Sequence, residues 1–439
     1  MKMSNNIGII EKLLTGEYQS PYSRKNIKLP IDEILIPTSI LEVEINHLKK
    51  INNKKNLIIS GSNSFANYGK KVIHKLNEEK VNHEIKILEN YQSTVEYASS
   101  IANSLKEYDN IICIGSGSVV DICKYVSNVN NQGLFVYLSS LSAAATTSTV
   151  SLTENGIKVS IKSKIPDAII IDLDNLKKAP VRLLRSALGD VLCRSTCQID
   201  WLTSHFLLNT FYDETPFALQ YEDEKILLNH SQEIISGDEK ILSALSRMTL
   251  LNGIAAIIIG STHAGSMGEH LISHYIDMFM GDKHPGSLHG EQVGIATLLI
   301  SKMQNDILND SEIPKFKEIK HDLKIFEKIF GNKEGVNLHK QFQNKLFTQK
   351  SLIHINQDLS ENWGFYKEAL MKFSVKTDRI KQSFINCGAA CTNLDLNIPN
   401  DFFQICIENA HYLRDRFSYL DIIHYLGKIK KYSKSPYSS

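Results

Sequence analysis

The chain has 439 residues, 42% of them hydrophobic and 22% charged, a balance that excludes a disordered or collagen-like chain and leaves room for a large core in two unequal domains. Lys plus Arg (49) and Asp plus Glu (48) leave a formal charge of +1, so no net field draws it to nucleic acid or an anionic membrane, and a small molecule is the expected partner. The longest apolar stretch, GIAAIIIG at 253–260, falls well short of the ~20 residues that cross a bilayer, and MKMSNNIGIIEKLL at the start lacks an export signal. No membrane span and a cytoplasmic location are therefore expected, and the seven Cys suit reduced thiols better than a disulfide framework.

From about 55 to 175, short apolar runs alternate with amphipathic stretches. NLIIS (56–60) precedes a helix near 64–79, EIKIL (84–88) a helix near 93–106, NIICIG (110–115) a helix near 119–129, and LFVYL (134–138) follows. This alternation predicts a parallel sheet with helices on both faces. SSLSAAATTST comes next, then VSLTENGIKVSI, where Asn155-Gly156 between alternating segments predicts a hairpin. IPDAIIIDL predicts one more strand, ending near Leu173. From about 180 the pattern turns to long helical periods, as in RLLRSALGDVLCRSTCQIDWLTSHFLL. An α/β domain over 1–179 and an all-α domain over 180–439 are expected, divided near Ala179-Pro180.

The segment IICIGSGSVVDICK (111–124) reads as a buried strand, a Gly/Ser loop and a helix starting at about Val119. Gly115 and Gly117 permit tight backbone geometry, and the N–H groups at the helix start suit a pyrophosphate. A mere turn would look the same. GxxxxGK[ST] is absent, which argues against nucleotide hydrolysis. The small residues of SSLSAAATTST would let a flat nicotinamide approach the backbone.

In the second half, GSTHAGSMGEHLISH (260–274) puts His270 and His274 four residues apart on one helix face, and LHGEQVG adds His289 before an apolar helix. Three histidines in a Gly-rich context point to a metal site. HLISH lacks the Glu of HExxH, so a zinc protease does not fit. Asp190, in SALGDVLCR, interrupts a buried face and is the best carboxylate to complete the set; the alternative is a helix N-cap. One carboxylate and two imidazoles suit a divalent cation acting as a Lewis acid on a carbonyl. Cys193/Cys197 and Cys387/Cys391, each spaced i, i+4, could share helix faces, but metal sites favour CxxC, so these read as small core residues.

Together, GSGSVVDICK, IPDAIIIDLDNLKKAP, SALGDVLCRSTCQIDWLTSH, GEHLISH, LHGEQVG and ENAHYLRDRFSYLDIIHYLG resemble the iron-containing alcohol dehydrogenase and dehydroquinate synthase superfamily, most closely its bacterial-type sn-glycerol-1-phosphate dehydrogenases. The resemblance spans almost the whole chain. It implies a dehydroquinate synthase-like fold, NAD or NADP as cofactor, and a divalent metal (zinc, nickel or iron) held by Asp190, His270 and His289, with His274 reaching the substrate. It further implies that Gly117, Ser118, Val119, Val120 and Asp121 cradle the cofactor diphosphate, while Leu138, Ser139, Ser140, Leu141 and Thr147 line the nicotinamide side. The implied reaction reduces dihydroxyacetone phosphate to sn-glycerol 1-phosphate, and the implied assembly is a homo-oligomer, a dimer or larger.

Three positions depart from the family pattern. Ser116 replaces a third glycine, Gly61 replaces the acid expected to hold the adenosine ribose, which would admit NADP, and Ala143 falls where the family has a substrate-contacting Asp. A dehydroquinate synthase-like lyase or cyclase is the competing activity, but such relatives usually carry Glu as the acidic ligand, and Asp190 favours the dehydrogenase. A non-catalytic scaffold is the third reading, which retention of all three ligands opposes.

Overall fold

The computed structural model describes residues 7–141, 144–147, 149–154, 157–319, 321–434 and 437. Ala143, Asn155 and Gly156 lie outside the described residues.

Eight strands are used below: β1 (Glu33–Leu35), β2 (Asn56–Gly61), β3 (His83–Leu88), β4 (Asn110–Gly115), β5 (Gly133–Leu138), β6 (Val150–Glu154), β7 (Ile157–Ile161) and β8 (Ala168–Ile171). Six form one sheet in the order β1-β8-β5-β4-β2-β3, every pairing parallel. β2 and β4 are buried at every position, as a strand covered on both faces requires. Ile58, Ile112, Ile114, Tyr137 and Ile170 form a core with Tyr68, Val72 and Leu76, the last two from helix α1 (Lys70–Glu78). Alternate strand positions point to the opposite face, where α3 (Gly117–Asn130) packs on β2, β4 and β5 and against α2 (Val95–Asn103). The chain leaves β2 for β3 on one side and returns to β4 on the other, so the carboxyl ends of β2 and β4 mark the topological switch point where ligands of such sheets bind.

Several boundaries differ from the sequence reading. α3 starts at Gly117, not Val119, because Gly115 leaves the turn free of a side chain: a Cβ there would lie 2.7 Å from the Cβ of Val119. The last strand stops at Ile171, where Asp172 caps α4 (Leu173–Lys178) by accepting from Asn175 N. The short edge strand β1, with Glu33 inside it, carries no alternating run and escapes sequence reading. β6 and β7 pair antiparallel, Glu154 opposite Ile157. No strand follows Ile171 among the described residues.

Where a single division at Ala179-Pro180 was expected, the backbone groups residues through Ala187 with Ala218–Thr262, and Leu188–Phe217 with His263–Ser439. The first unit thus takes in α7 (Glu239–Ile259), since the 3-10 turn Ala144–Thr147 packs on it. This helix corrects the expectation from the eight-residue apolar stretch: it is long and apolar enough to cross a membrane by length and composition, and 78% of its most apolar window is buried inside the protein. Arg247 in its middle pairs with buried Asp223 at 2.6 Å, which marks a core helix.

Candidate metal centre

Within the second unit, three helices bring the site together: the end of α5 (Val181–Val191), α8 (Gly268–Phe279) and α9 (His289–Asn309). Glycines set their spacing. A Cβ on Gly189 would lie 2.2 Å from the carbonyl oxygen of Gly290 and 3.3 Å from the Cα of Gly294, so the backbones touch and the next residues, Asp190 and His289, are carried to one place. Asp200, on α6 (Arg194–Leu208), anchors the start of α8: it accepts from Gly268 N at 3.1 Å, Gln304 Nε2 at 2.9 Å and Tyr419 N at 3.2 Å. Burial pushes its carboxyl well up.

Asp190 Oδ1 stands 3.5 Å from His270 Nε2 and 3.7 Å from His289 Nε2, and the donor atoms of the three side chains all lie within 4.8 Å of one another. Asp190 is buried inside its helix and is not an N-cap. Its Oδ1 accepts no hydrogen bond, a costly state for a buried carboxylate oxygen unless a cation answers it. Ligands ~2.1 Å from a shared tetrahedral cation sit ~3.4 Å apart, close to the observed spacing. The residues therefore fit a divalent metal. Burial alone would raise the Asp190 carboxyl, but His270 and His289 beside it hold it below its usual range. Burial opposes charge on His270 as well, yet Asp190 and Glu269 on its two sides push its pKa up to about 10, so ligation through Nε2 would be coupled to proton release.

The outward nitrogens are also held. His289 Nδ1 donates to Ser273 Oγ at 3.0 Å, and that hydroxyl donates to Gln292 Oε1 at 2.7 Å. His270 Nδ1 meets Glu269 Oε1 at 2.9 Å. Both histidines thus turn Nε2 inward. His274 stands beside them, its ring stacked with His289 at 6.0 Å between centroids, and it is half-buried. Sequence reading missed Glu269, Ser273 and Gln292, although a Glu directly before His270 and a Ser between two histidines on an apolar helix were visible signals.

The thiols behave differently from their spacing. Cys193 and Cys197 are buried, with Sγ atoms 3.8 Å apart, and Cys193, Glu269 and His270 also bring donor atoms within 4.8 Å. Cys387 and Cys391 do not share a helix face, because α10 (Thr377–Cys387) ends at Cys387 and Gly388 takes a left-handed φ of 70°.

In the first unit, Gly115 and Leu138 end adjacent strands as register partners, and Ser139 N donates to Gly115 O at 2.9 Å. Gly117 and Ser118 form the first turn of α3, the end of a helix whose N–H groups point outward along its axis. Val119, Val120, Leu138, Leu141 and Thr147 are buried, so backbone rather than these side chains is what they can offer a ligand. Asp121 is buried and accepts from Ser151 N at 3.3 Å, which ties α3 to β6. Ser139 Oγ contacts Ser64 Oγ at 2.9 Å, Ser140 is buried, and Thr147 Oγ1 donates to Leu250 O at 3.4 Å. At Gly61 the space for a side chain is tight: a Cβ would lie 3.2 Å from Tyr91 Cε1 and 3.3 Å from Val119 Cγ2, so these side chains must yield slightly to admit one.

The model of the iron-containing alcohol dehydrogenase family matches residues 38–180. Glycerol-1-phosphate dehydrogenase (NAD(P)+) from Staphylothermus marinus is 30% identical over 311 residues, covering 68% of this chain and 82% of that protein. The Bacillus subtilis enzyme of the same name is 26% identical over 300 residues, 66% and 76% of the two chains. Sulfoacetaldehyde reductase from Bifidobacterium kashiwanohense shares the fold, with a TM-score of 0.59 at 13% identity over 92% of this chain and 97% of that one. These matches make the protein an NAD(P)-dependent dehydrogenase with a divalent metal as cofactor. Within that class, the chain belongs to the iron-containing alcohol dehydrogenase family.

Proposed function

We propose that the protein reduces dihydroxyacetone phosphate to sn-glycerol 1-phosphate with NADH or NADPH. The observation that carries this reading is the convergence of Asp190, His270 and His289 on one point in a chain similar to glycerol-1-phosphate dehydrogenases. In this reading these three residues hold the metal. When bound, the metal supplies Lewis-acid polarisation of the ketone, and the nicotinamide supplies the hydride.

The chain's own groups do the rest. Asp190 brings one negative charge to two neutral imidazoles, so the site stays net positive toward a ketone oxygen once a divalent cation is held. Ser273 and Glu269 fix the two ring orientations before substrate arrives. His274, beside the set and only half-buried, is placed to hand a proton toward the alkoxide oxygen. In the first unit, the leading N–H groups of α3 at Gly117 and Ser118 hold the cofactor diphosphate at the switch point, where Gly115 and Ser139 keep the backbone open to close approach.

Mixing the purified chain with dihydroxyacetone phosphate and NAD(P)H tests this. Loss of the reduced nicotinamide absorbance, with glycerol 1-phosphate as product, is expected. No net oxidation of the cofactor while substrate disappears would point to a cyclase and overturn the reading.

A further inference from the structure

We propose that Glu269 is a positioning residue for the metal centre, a buried carboxylate that holds His270 in the tautomer and orientation needed for ligation. This rests on the reading of Asp190, His270 and His289 as metal ligands.

Glu269 is fully buried, with no exposed surface. Its Oε1 receives three donors: Met267 N at 2.7 Å, His270 Nδ1 at 2.9 Å and the Cys197 thiol at 3.0 Å. The backbone amide fixes that oxygen independently of the histidine, so the imidazole is aligned against a rigid acceptor. With the proton on Nδ1, the Nε2 lone pair faces Asp190 Oδ1, the same atom that faces His289. Glu269 Oε2 has no hydrogen-bond partner. A helix-start cap needs neither burial nor an unanswered oxygen, and an exposed carboxylate would serve; sinking this charge costs free energy that the nearby buried Arg416 guanidinium and a cation on the far side of the His270 ring together offset.

The same carboxylate has a rival role, as a ligand itself together with Cys193 and His270, whose donor atoms lie within 4.8 Å. One contact opposes it: Cys193 Sγ already donates to Asp190 O at 3.0 Å. The rival predicts thiolate ligation and a second equivalent of metal; positioning predicts neither.

The test uses the full chain, stripped of metal and titrated with Zn²⁺ against a chromogenic chelator, alongside Glu269→Gln and Glu269→Leu. Gln keeps an acceptor for His270 Nδ1 without the charge. Positioning predicts affinity weaker by about 10-fold in Glu269→Gln and about 100-fold in Glu269→Leu, with one Zn²⁺ per chain and no sulfur-to-metal charge-transfer band when Co²⁺ replaces Zn²⁺. Should Glu269→Leu fail to fold, Glu269→Gln with a parental unfolding midpoint decides alone. Parental affinity in Glu269→Gln would overturn the proposal, as would a thiolate band or a second equivalent in the parent. A parent that binds no Zn²⁺ overturns the metal reading and this role with it, whereas a parent that binds and a Gln variant that matches it overturns the role alone.

Discussion

Gly189 and Gly290 meet so closely that a methyl group on the first would stand 2.2 Å from the carbonyl oxygen of the second. Because Asp190 and His289 are their immediate neighbours, this backbone contact sets the distance between a carboxylate and an imidazole. Gly189→Ala should therefore force the helices apart, at a cost of about 1–3 kcal/mol typical of overpacking, and weaken metal binding at the same time. Thermal unfolding and Zn²⁺ titration of the variant check this. A parental midpoint with parental affinity would mean that the helices yield freely.

Removing an imidazole should remove the metal. In His289→Ala, bound metal is expected to fall from about one per chain to near zero, and turnover to drop by ~10³-fold, the several kcal/mol that Lewis-acid catalysis supplies. Elemental analysis and steady-state kinetics read both quantities. Full metal content in this variant would refute the ligand assignment.

Acid should destabilise the second unit. Burial and the Arg416 charge push His263 down to about 4, burial and Lys345 push His321 down to about 4, and burial holds His411 and His424 lower still, each reinforced by neighbouring histidines. These rings are neutral when folded and take up protons on unfolding. The stability they contribute is present above about pH 6.5 and lost as pH falls toward about 4. His270 works the other way in the metal-free chain: raised to about 10, its contribution is present below about pH 6.5 and lost as pH rises through about 10. Urea midpoints across this range should fall on the acid side, with a shallower slope in His411→Phe. A flat profile below about pH 6.5 would contradict the neutral-histidine account.

Cofactor choice is expected to turn on Gly61. Without a carboxylate there to hold the ribose 2′-hydroxyl, NADPH and NADH should be used with comparable kcat/KM. Gly61→Asp alone should weaken both cofactors, since Tyr91 and Val119 crowd the space, and cutting Tyr91 back to Ala in the same chain should restore NADH. Strong preference for NADH in the parent would contradict this.

The sheet was legible because β2, β4 and β5 are apolar runs ending in glycine or a small-residue loop, and the candidate ligands because His270 and His289 fall close together in a Gly-rich context and Asp190 interrupts a buried helical face. What escaped was set by tertiary contact. The early start of α3 depends on the space beside Gly115, and β1 becomes a strand only through its pairing with β8. The grouping of α7 with the sheet follows from the turn at Ala144–Thr147, not from any composition shift at residue 180. Glu269 and Ser273 gain meaning only when His270 and His289 are seen to turn one nitrogen toward each of them.

The most direct measurement is anomalous diffraction at the zinc edge from a crystal of the zinc-loaded chain. A single peak within about 2.0–2.2 Å of Asp190 Oδ1, His270 Nε2 and His289 Nε2 is the predicted result. A peak among Cys193, Glu269 and His270 instead, or none near these helices, would contradict the assignment on which the proposed chemistry stands.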